Sequence, residues 1–350
     1  MDPREALDRV VYCLDRTLAP SPKVRAFQNA RSLIDDLGIE EFEQRHAAGE
    51  LQDLPGIGKS TGAVIGQALD GEVPEYLTNL EAETALVPEL DDSHDLRSKL
   101  RGDCHLHSTW SDGGAEIEVM ARTAIALGHD YMVMTDHSPR LTIAHGLSAD
   151  RLRRQLDVID ALNAELAPFR ILTGIEVDIL TDGSLDQEEE LLARLDVVVA
   201  SVHSKLKMDA KDMTRRMVMA VASPYVDILG HVTGRKVPGD ERQVGKSDFP
   251  GRIGSSFDAE IVFAACKKFD TAVEINSRPE RQDPPDELLR LALEWDCKIA
   301  IDTDAHAPGQ LEFQIFGCDK AVRHDVPVGD IVNTWDADDL LEWAGSHRTS

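Results

Sequence analysis

Between residues 101 and 306 the hydrophobic positions come in two alternating kinds. Short apolar runs appear as DCHLH (103–107), YMVMTDH (131–137), RILTGIEVDI (170–179), LDVVVASVH (195–203), VDILGH (226–231), TAVEIN (271–276) and KIAIDTDAH (298–306). Longer segments of helical period lie between them, at 114–127, 148–166, 209–222, 256–269 and 285–296. Runs of this length read as buried strands, and their alternation with helices predicts a parallel sheet or barrel. Seven such runs favour a closed or nearly closed α/β barrel over an open sheet. Residues 1–75 read as all helix, with amphipathic patterns from Arg4 to Thr17 and from Val24 to Leu37, the second closed by Gly38. LQDLPGIGKSTGAVIGQALDG (51–71) predicts a helix, a tight glycine hairpin and a second helix lined by Val64, Ile65 and Leu69. Residues 76–100 are charged, carry Pro88 and read as a partly ordered linker. The expected domains are therefore 1–75, helical, and 101–350, α/β. No repeat of 20–50 residues and no low-complexity tract interrupts them.

Composition narrows the class. The 350 residues are 42% hydrophobic and 29% charged, enough for a sizeable core. No apolar run approaches the ~18–20 residues of a membrane span. Disordered, collagen-like and integral membrane chains are excluded. The segment MDPREALDRVVYCLD has no basic region followed by an apolar core, so no signal peptide is expected. Cys13, Cys104, Cys266, Cys297 and Cys318 are scattered and form no CxxC pair, which suits a reducing cytoplasm. The net charge of -27 argues against a broad basic surface for nucleic acid. It leaves room for a local site, because bound metal ions invert the local charge.

The runs carry the chemistry. His105 and His107 are two apart on a strand and point to one face. On that alternation Cys104 and Leu106 face the other way, into packing. Asp112 follows in TWSDGG, and His137, Glu176, His203 and His231 lie within or at the ends of later runs. Asp304 and His306 close the last, again spaced by two. Strand C-terminal ends form the active-site face of α/β barrels. A lone strand-end histidine is more often structural, but six histidines and three carboxylates placed alike exceed the ligands of one catalytic metal. Two or three divalent ions sharing a carboxylate would use them. Mixed imidazole and carboxylate ligands suit zinc, manganese or iron better than magnesium. His46, His94, His129, His145, His324 and His347 lack this placement and read as ordinary. Arg235, Lys205 and Arg278, the last following Asn276, are candidates to contact a phosphate oxygen at the site. Asp103 and Asp136 are candidates to orient histidine ligands.

HLHSTWSDGG, TDHS, GIEVDILTDGSLD, VVASVHS, DILGHVTGR, VEINSRP and DTDAH together resemble the PHP (polymerase and histidinol phosphatase) domain. The resemblance covers roughly residues 100–345 and is closest to the PHP domain that ends bacterial family X DNA polymerases. It implies a distorted (β/α)7, TIM-like barrel with a trinuclear metal centre. By that resemblance one metal is held by His105, His107, Glu176 and Asp304. A second is held by Glu176, His203 and His231, and a third by Asp112, His137 and His306. GIGKST is not a P-loop, since that motif needs glycine where Asp53 stands. LPGIGKSTGAVIG instead resembles a helix-hairpin-helix motif, which implies DNA-phosphate contact through Gly56, Gly58 and Lys59. Residues 1–100 carry twice as many acidic as basic side chains, which weighs against that contact. No room remains for a polymerase palm, so polymerase activity is not expected.

The expected function is a metal-dependent phosphoesterase working through a metal-carried hydroxide, in DNA 3′-end processing as a 3′-5′ exonuclease or 3′-phosphatase. One alternative is a small-molecule phosphatase of histidinol-phosphate or nucleotide type. The other is a DNA-binding adaptor with a relic barrel.

Overall fold

Five helices dominate the first 87 residues of the computed structural model, which describes residues 1–238 and 251–348. They are α1 (Pro3–Arg16), α2 (Ser21–Leu37), α3 (Ile39–Ala48), α4 (Lys59–Leu69) and α5 (Glu75–Glu83). Asp2 caps α1 by accepting from the Arg4 amide at 2.7 Å, which satisfies one of the free donors of the first turn. The apolar faces meet in one core holding Leu7, Val10, Phe27, Ile34, Phe42, Val64, Ile65 and Leu77. Leu51–Asp53 forms a single 3-10 turn, not the α-helix expected before the hairpin. Gly56 then takes φ +93, a left-handed conformation that glycine reaches at no steric cost. The Gly58 amide donates to Thr61 Oγ1 at 2.8 Å and so starts α4.

The stretch read as a linker is mostly helical. Leu77 and Leu80 of α5 belong to the core just described. Further on, α6 (Asp92–Arg97) places Leu96 in the core of the second unit, which begins at Pro88. The charge of this stretch lies on exposed faces, and its few leucines were too sparse to show a helical period.

The second unit is built on seven parallel strands in strict sequence order. They are β1 (Gly102–Leu106), β2 (Tyr131–Met134), β3 (Arg170–Asp178), β4 (Val197–Ser201), β5 (Ile228–Leu229), β6 (Ala272–Asn276) and β7 (Ile299–Asp302). A parallel bridge from Leu106 to Ala305, just past β7, joins the last strand to the first, so the barrel is nearly closed. The helices are α7 (Ile117–Ala126), α8 (Ala149–Leu166), α9 (Glu189–Leu192), α10 (Ala210–Val221), α11 (Ala259–Phe269), α12 (Asp286–Glu294), α13 (Gln314–Arg323) and α14 (Ala337–His347). Outward residues such as Met132, Ile175, Val198 and Ile299 pack with the helices. Inward residues Val133, Leu172, Val199 and Ala300 form an interior cluster, sealed by Leu340 and Trp343 of α14. This is the period-two division of a barrel strand.

Cys104 departs from the alternation. The β1 register shifts between Asp103 and Leu106, and Cys104 joins the interior cluster while Leu106 packs outside. Its thiol is fully buried, and burial pushes it well above the ordinary range, so it is no nucleophile. All five cysteines are free and buried. Among the described residues, no helix is long and apolar enough to cross a membrane.

His129 gives this unit a pH dependence. Its Nε2 lies 2.8 Å from Arg97 Nη2 and 3.0 Å from Gln314 Oε1. Burial, then the charge of Arg97, holds its pKa down at about 3. The unfolded chain takes up a proton near pH 6.5 that the native ring refuses, so stability is full above that pH and falls as pH drops towards 3. At pH 5 this one residue accounts for a loss of about 2 kcal/mol. Urea unfolding at pH 7.5 and pH 5 should show that difference shrinking in His129→Gln, and an equal loss in the variant would contradict it.

Candidate metal centre

The nine ligand-type residues meet at the C-terminal ends of the strands. Glu176, near the end of β3, is 1% exposed and sits among imidazoles. Its Oε1 lies 2.8 Å from His231 Nε2 and 3.1 Å from His203 Nε2. Its Oε2 lies 2.7 Å from His137 Nδ1, 3.4 Å from His105 Nε2 and 3.6 Å from His107 Nε2. Asp304 Oδ1 stands 3.4 Å from His107 Nε2. Asp112 Oδ1 stands 3.4 Å from both His137 Nε2 and His306 Nε2. Donor atoms fall within 4.8 Å of one another in three groups: His107, Asp112, His137 and His306; His105, His107 and Glu176; and His137, Glu176 and His203. His107, His137 and Glu176 each belong to two groups, so the centre is more continuous than three separate ligand sets.

Backbone geometry aims these side chains. A Cβ on Gly230 would stand 2.4 Å from Ser201 Oγ, so only glycine lets the chain close in just before His231. Asp304 has φ +51, a left-handed conformation costly for aspartate and typical of functional sites. Arg216 of α10, fully buried, donates to the carbonyls of Ile179 (2.9 Å) and Ser204 (2.8 Å) and so fixes the turn after His203.

Seven buried ring nitrogens, on His105, His107, His137, His203 and His231, have no well-directed hydrogen-bond partner, nor has Glu176 Oε2. Each unsatisfied buried group costs about 1–3 kcal/mol. The sum rivals the whole stability of a domain, roughly 5–15 kcal/mol. A cluster of acceptor nitrogens around carboxylates is chemically suited to divalent cations. The donor set fits divalent cations.

Charge organises it further. Burial alone would raise Glu176, yet His203, His105 and His137 hold it well below the usual carboxylate range. Burial works against the His203 proton, but Glu176 and Asp178 raise its pKa to about 9. His105 is raised well above its ordinary value, against burial, by Glu176 and Glu274. His107 is lowered by burial and by His306 and His137. Asp304 is held low, against burial, by Arg281 and His107. Asp112, His203 and His306 have side chains 34%, 12% and 21% exposed, so the centre opens on their side.

The histidine-orienting carboxylates differ from those expected. Asp103 accepts from the His105 amide (3.2 Å), the Thr303 amide (3.2 Å) and the Thr303 hydroxyl. Asp136 accepts from the Ser108 amide (2.8 Å), Ser111 Oγ and Gln155 Nε2 (2.6 Å), shaping the loop that carries Asp112. Neither touches an imidazole. Glu274 takes that place, 2.5 Å from His105 Nδ1, leaving Nε2 to face the cluster. Asp178 Oδ1 lies 3.5 Å from His203 Nδ1. Glu274 stands two before Asn276 in the run TAVEIN, a spacing that places both on one face and was the available signal.

The phosphate-contact candidates divide. Asn276 is buried and donates to Asp304 Oδ2 (3.1 Å) and Glu274 Oε2 (3.2 Å). Arg278 is held by Glu280 (2.8 Å) and by the Asp304 carbonyl (2.8 Å), and also lies 2.8 Å from His306 Nδ1. Arg235 is turned to the carbonyls of Arg281 (3.1 Å) and Gln282. Lys205 is exposed in the turn after His203. The residue passed over was Arg281. Its Nε lies 2.8 Å from Asp304 Oδ2, out of line for a hydrogen bond, and its buried Nη1 has no partner among the described residues.

Two outcomes follow for the metal-free protein. With its pKa raised to about 9, His203 carries a proton at pH 7 that a cation must displace, and His105 is shifted in the same direction by Glu176 and Glu274. That charge stabilises the metal-free fold below pH 6.5 and is lost as pH rises through about 9. Calorimetric zinc titration at pH 7 in two buffers should reveal proton release, vanishing well above pH 9; no release at pH 7 would contradict the assignment. Glu274→Gln should lower metal affinity about 10–100-fold with the fold kept, as measured by competition with a chelator.

Comparisons with known proteins bear on the family. The PHP domain family matches residues 103–245. The Bacillus subtilis (strain 168) protein described as DNA polymerase/3′-5′ exonuclease PolX is 42% identical over 208 residues, 59% of this chain and 34% of that protein. The chain thus spans about a third of that relative's length. A probable phosphatase of Thermoanaerobacter sp. (strain X514) is 32% identical over 221 residues, 59% of this chain and 80% of the relative. Histidinol phosphate phosphatase from Lactococcus lactis subsp. lactis Il1403, solved with zinc, L-histidinol and phosphate, is 17% identical with a TM-score of 0.41. That match covers 71% of this chain and 93% of the other, and is too distant to bear on site or substrate. Family match, 80% coverage of a relative above 30% identity, and a barrel bearing the motifs in order lead to one conclusion: the chain belongs to the PHP family.

Proposed function

We propose that this protein is a metal-dependent phosphoesterase whose centre holds two or three divalent ions, zinc, manganese or iron, on His105, His107, Asp112, His137, Glu176, His203, His231, Asp304 and His306. The observation that carries this reading is the convergence of five imidazoles on the Glu176 carboxylate, with seven of their ring nitrogens unpartnered and Asp112, Asp304 and His306 beside them. Divalent cations bound there supply a water of lowered pKa and neutralise phosphoryl oxygens. The protein's own groups do the rest. Arg281, with a free buried Nη1 beside Asp304, takes a non-bridging phosphate oxygen. Asn276 and Arg278 hold Asp304 and His306 in place. The exposed side at Asp112 and His306 admits the ester and releases the alcohol.

The substrate we favour is a DNA 3′ end, cut as a 3′-5′ exonuclease or 3′-phosphatase in repair. The extent of identity to the Bacillus protein named as an exonuclease supports it. So does the glycine hairpin, where Gly56, Gly58 and the exposed Lys59 at the start of α4 would meet a DNA phosphate. A small-molecule phosphatase is the second reading, favoured by the relative named as a phosphatase that matches over 80% of its length.

His105→Ala and Glu176→Ala should reduce p-nitrophenyl phosphate hydrolysis to background across manganese, zinc and magnesium, while circular dichroism shows the fold kept. Undiminished turnover would overturn the metal-centred reading. Arg281→Met should cost about 10²–10³-fold in kcat/KM, the scale of one lost transition-state contact. Hydrolysis of 3′-labelled oligonucleotides against a monoester panel separates the two substrates, and activity on monoesters alone would remove the DNA assignment.

A further inference from the structure

Two loops lie side by side at one edge of the metal centre. The first follows His231: Gly234 donates back to the His231 carbonyl at 2.7 Å, and the chain then runs through Arg235 and Lys236. Lys236 pairs with Arg252 through both amides, at 2.9 and 2.6 Å, in an antiparallel bridge. The next residue, Val237, donates to the carbonyl of Glu280 at 2.8 Å, tying this pair to the loop after β6. Arg252 is anchored through Nε to the Gly234 carbonyl at 3.0 Å. Lys236 is half-buried, and the charges that surround it are Arg281, Glu280, Arg278 and Asp304.

Among the described residues, Arg278, Arg281, Lys236 and Arg252 outnumber Glu280, Asp304 and Asp283 there. Glu280 pairs with Arg278 through Oε1 at 2.8 Å and keeps a buried Oε2 without a hydrogen-bond partner, and Asp304 belongs to the ligand set. Asp283 accepts from the Thr233 amide and hydroxyl. Among the described residues no carboxylate forms an ion pair with Lys236 or Arg252. Burial, then the like charge of Arg281, presses both below their ordinary values. A half-buried Lys236 crowded by other cations, with the exposed Arg252 beside it, is an unfavourable arrangement in an otherwise acidic chain until an anion arrives.

Resting on the phosphoesterase reading, we propose that Lys236 and Arg252, next to the Arg281 that faces the ester, form a second anion subsite that selects substrates bearing another phosphate close to the ester being cut. Two sources have that chemistry: a small nucleoside bisphosphate and the end of a polynucleotide.

The test compares kcat/KM for thymidine 3′-monophosphate, thymidine 3′,5′-bisphosphate and a 3′-phosphorylated oligothymidylate. The wild-type protein should prefer the two-phosphate substrates by about tenfold or more, the scale of one charged hydrogen bond. Lys236→Gln and Arg252→Gln should bring that ratio close to one, chiefly through KM, and Lys236→Arg should keep it. Metal content equal to wild type shows that each variant is folded. Calorimetric titration of the metal-free chain with thymidine 3′,5′-bisphosphate should weaken about tenfold in Lys236→Gln. A gain for the bisphosphate alone assigns a small nucleotide, and a gain for both assigns a polynucleotide end. A wild-type ratio of one, or a ratio unchanged in both Gln variants, overturns the subsite. If none of the three is hydrolysed, the phosphoesterase reading falls instead, and the calorimetry still decides the subsite.

Discussion

A single buried carboxylate, Glu176, is what the rest of the barrel's upper face depends on. Both of its oxygens meet histidines from other strands, so five imidazoles take their position from one side chain. Burying an ionised carboxylate alone would be prohibitive. The site resolves this by surrounding it with groups that carry a proton or ligate a cation, and their charges override burial. Unpartnered nitrogens on those same groups make the arrangement unfavourable as a purely structural core. Chemistry and folding are thus coupled at one residue.

The barrel separates two tasks along its axis. At the end sealed by α14, inward residues are apolar and supply cohesion. At the other end, inward residues are Glu176, Glu274, Asn276 and Asp304, and the seam between β1 and β7 adds His105 and His107. The irregular register of β1 is where the division is sharpest. It turns Cys104 into the apolar interior while the two histidines keep facing the carboxylate. Outside the ligand set, the loops after His231 and after β6 bring Arg278, Arg281, Lys236 and Arg252 together. A chain of net charge -27 therefore places a cationic edge beside its metal centre. Overall acidity describes its solvent-facing helices and not the place where an anion would bind.

Much of this was legible in the order of residues. Seven apolar runs became seven strands, and five helical segments became α7, α8, α10, α11 and α12. HxH and DxH spacing marked ligand positions because a strand repeats every two residues. Period alone, however, says which face a residue takes and not which residues on neighbouring strands it meets. Glu274 was invisible as the partner of His105 for that reason, since 169 positions separate them. Asp103 and Asp136 lie within two residues of histidines in sequence and seemed better placed, yet they accept from backbone, hydroxyl and Gln155 amide donors.

Loop arginines show the same limit more plainly. Arg235, Arg278 and Arg281 all lie a few residues beyond a strand end, and nothing local distinguishes them. Only the packed loops decide that Arg235 is spent on carbonyls, that Arg278 is held by Glu280, and that, among the described residues, Arg281 of these three keeps an unpartnered buried nitrogen beside Asp304. The sequence by itself determined the fold class, the helical first unit and the residue types that gather at the strand ends, because strand and helix periods are local properties of the chain. Tertiary structure decided which carboxylate stands behind each histidine and which cation faces the site, because those pairings are made across strands and loops far apart in sequence.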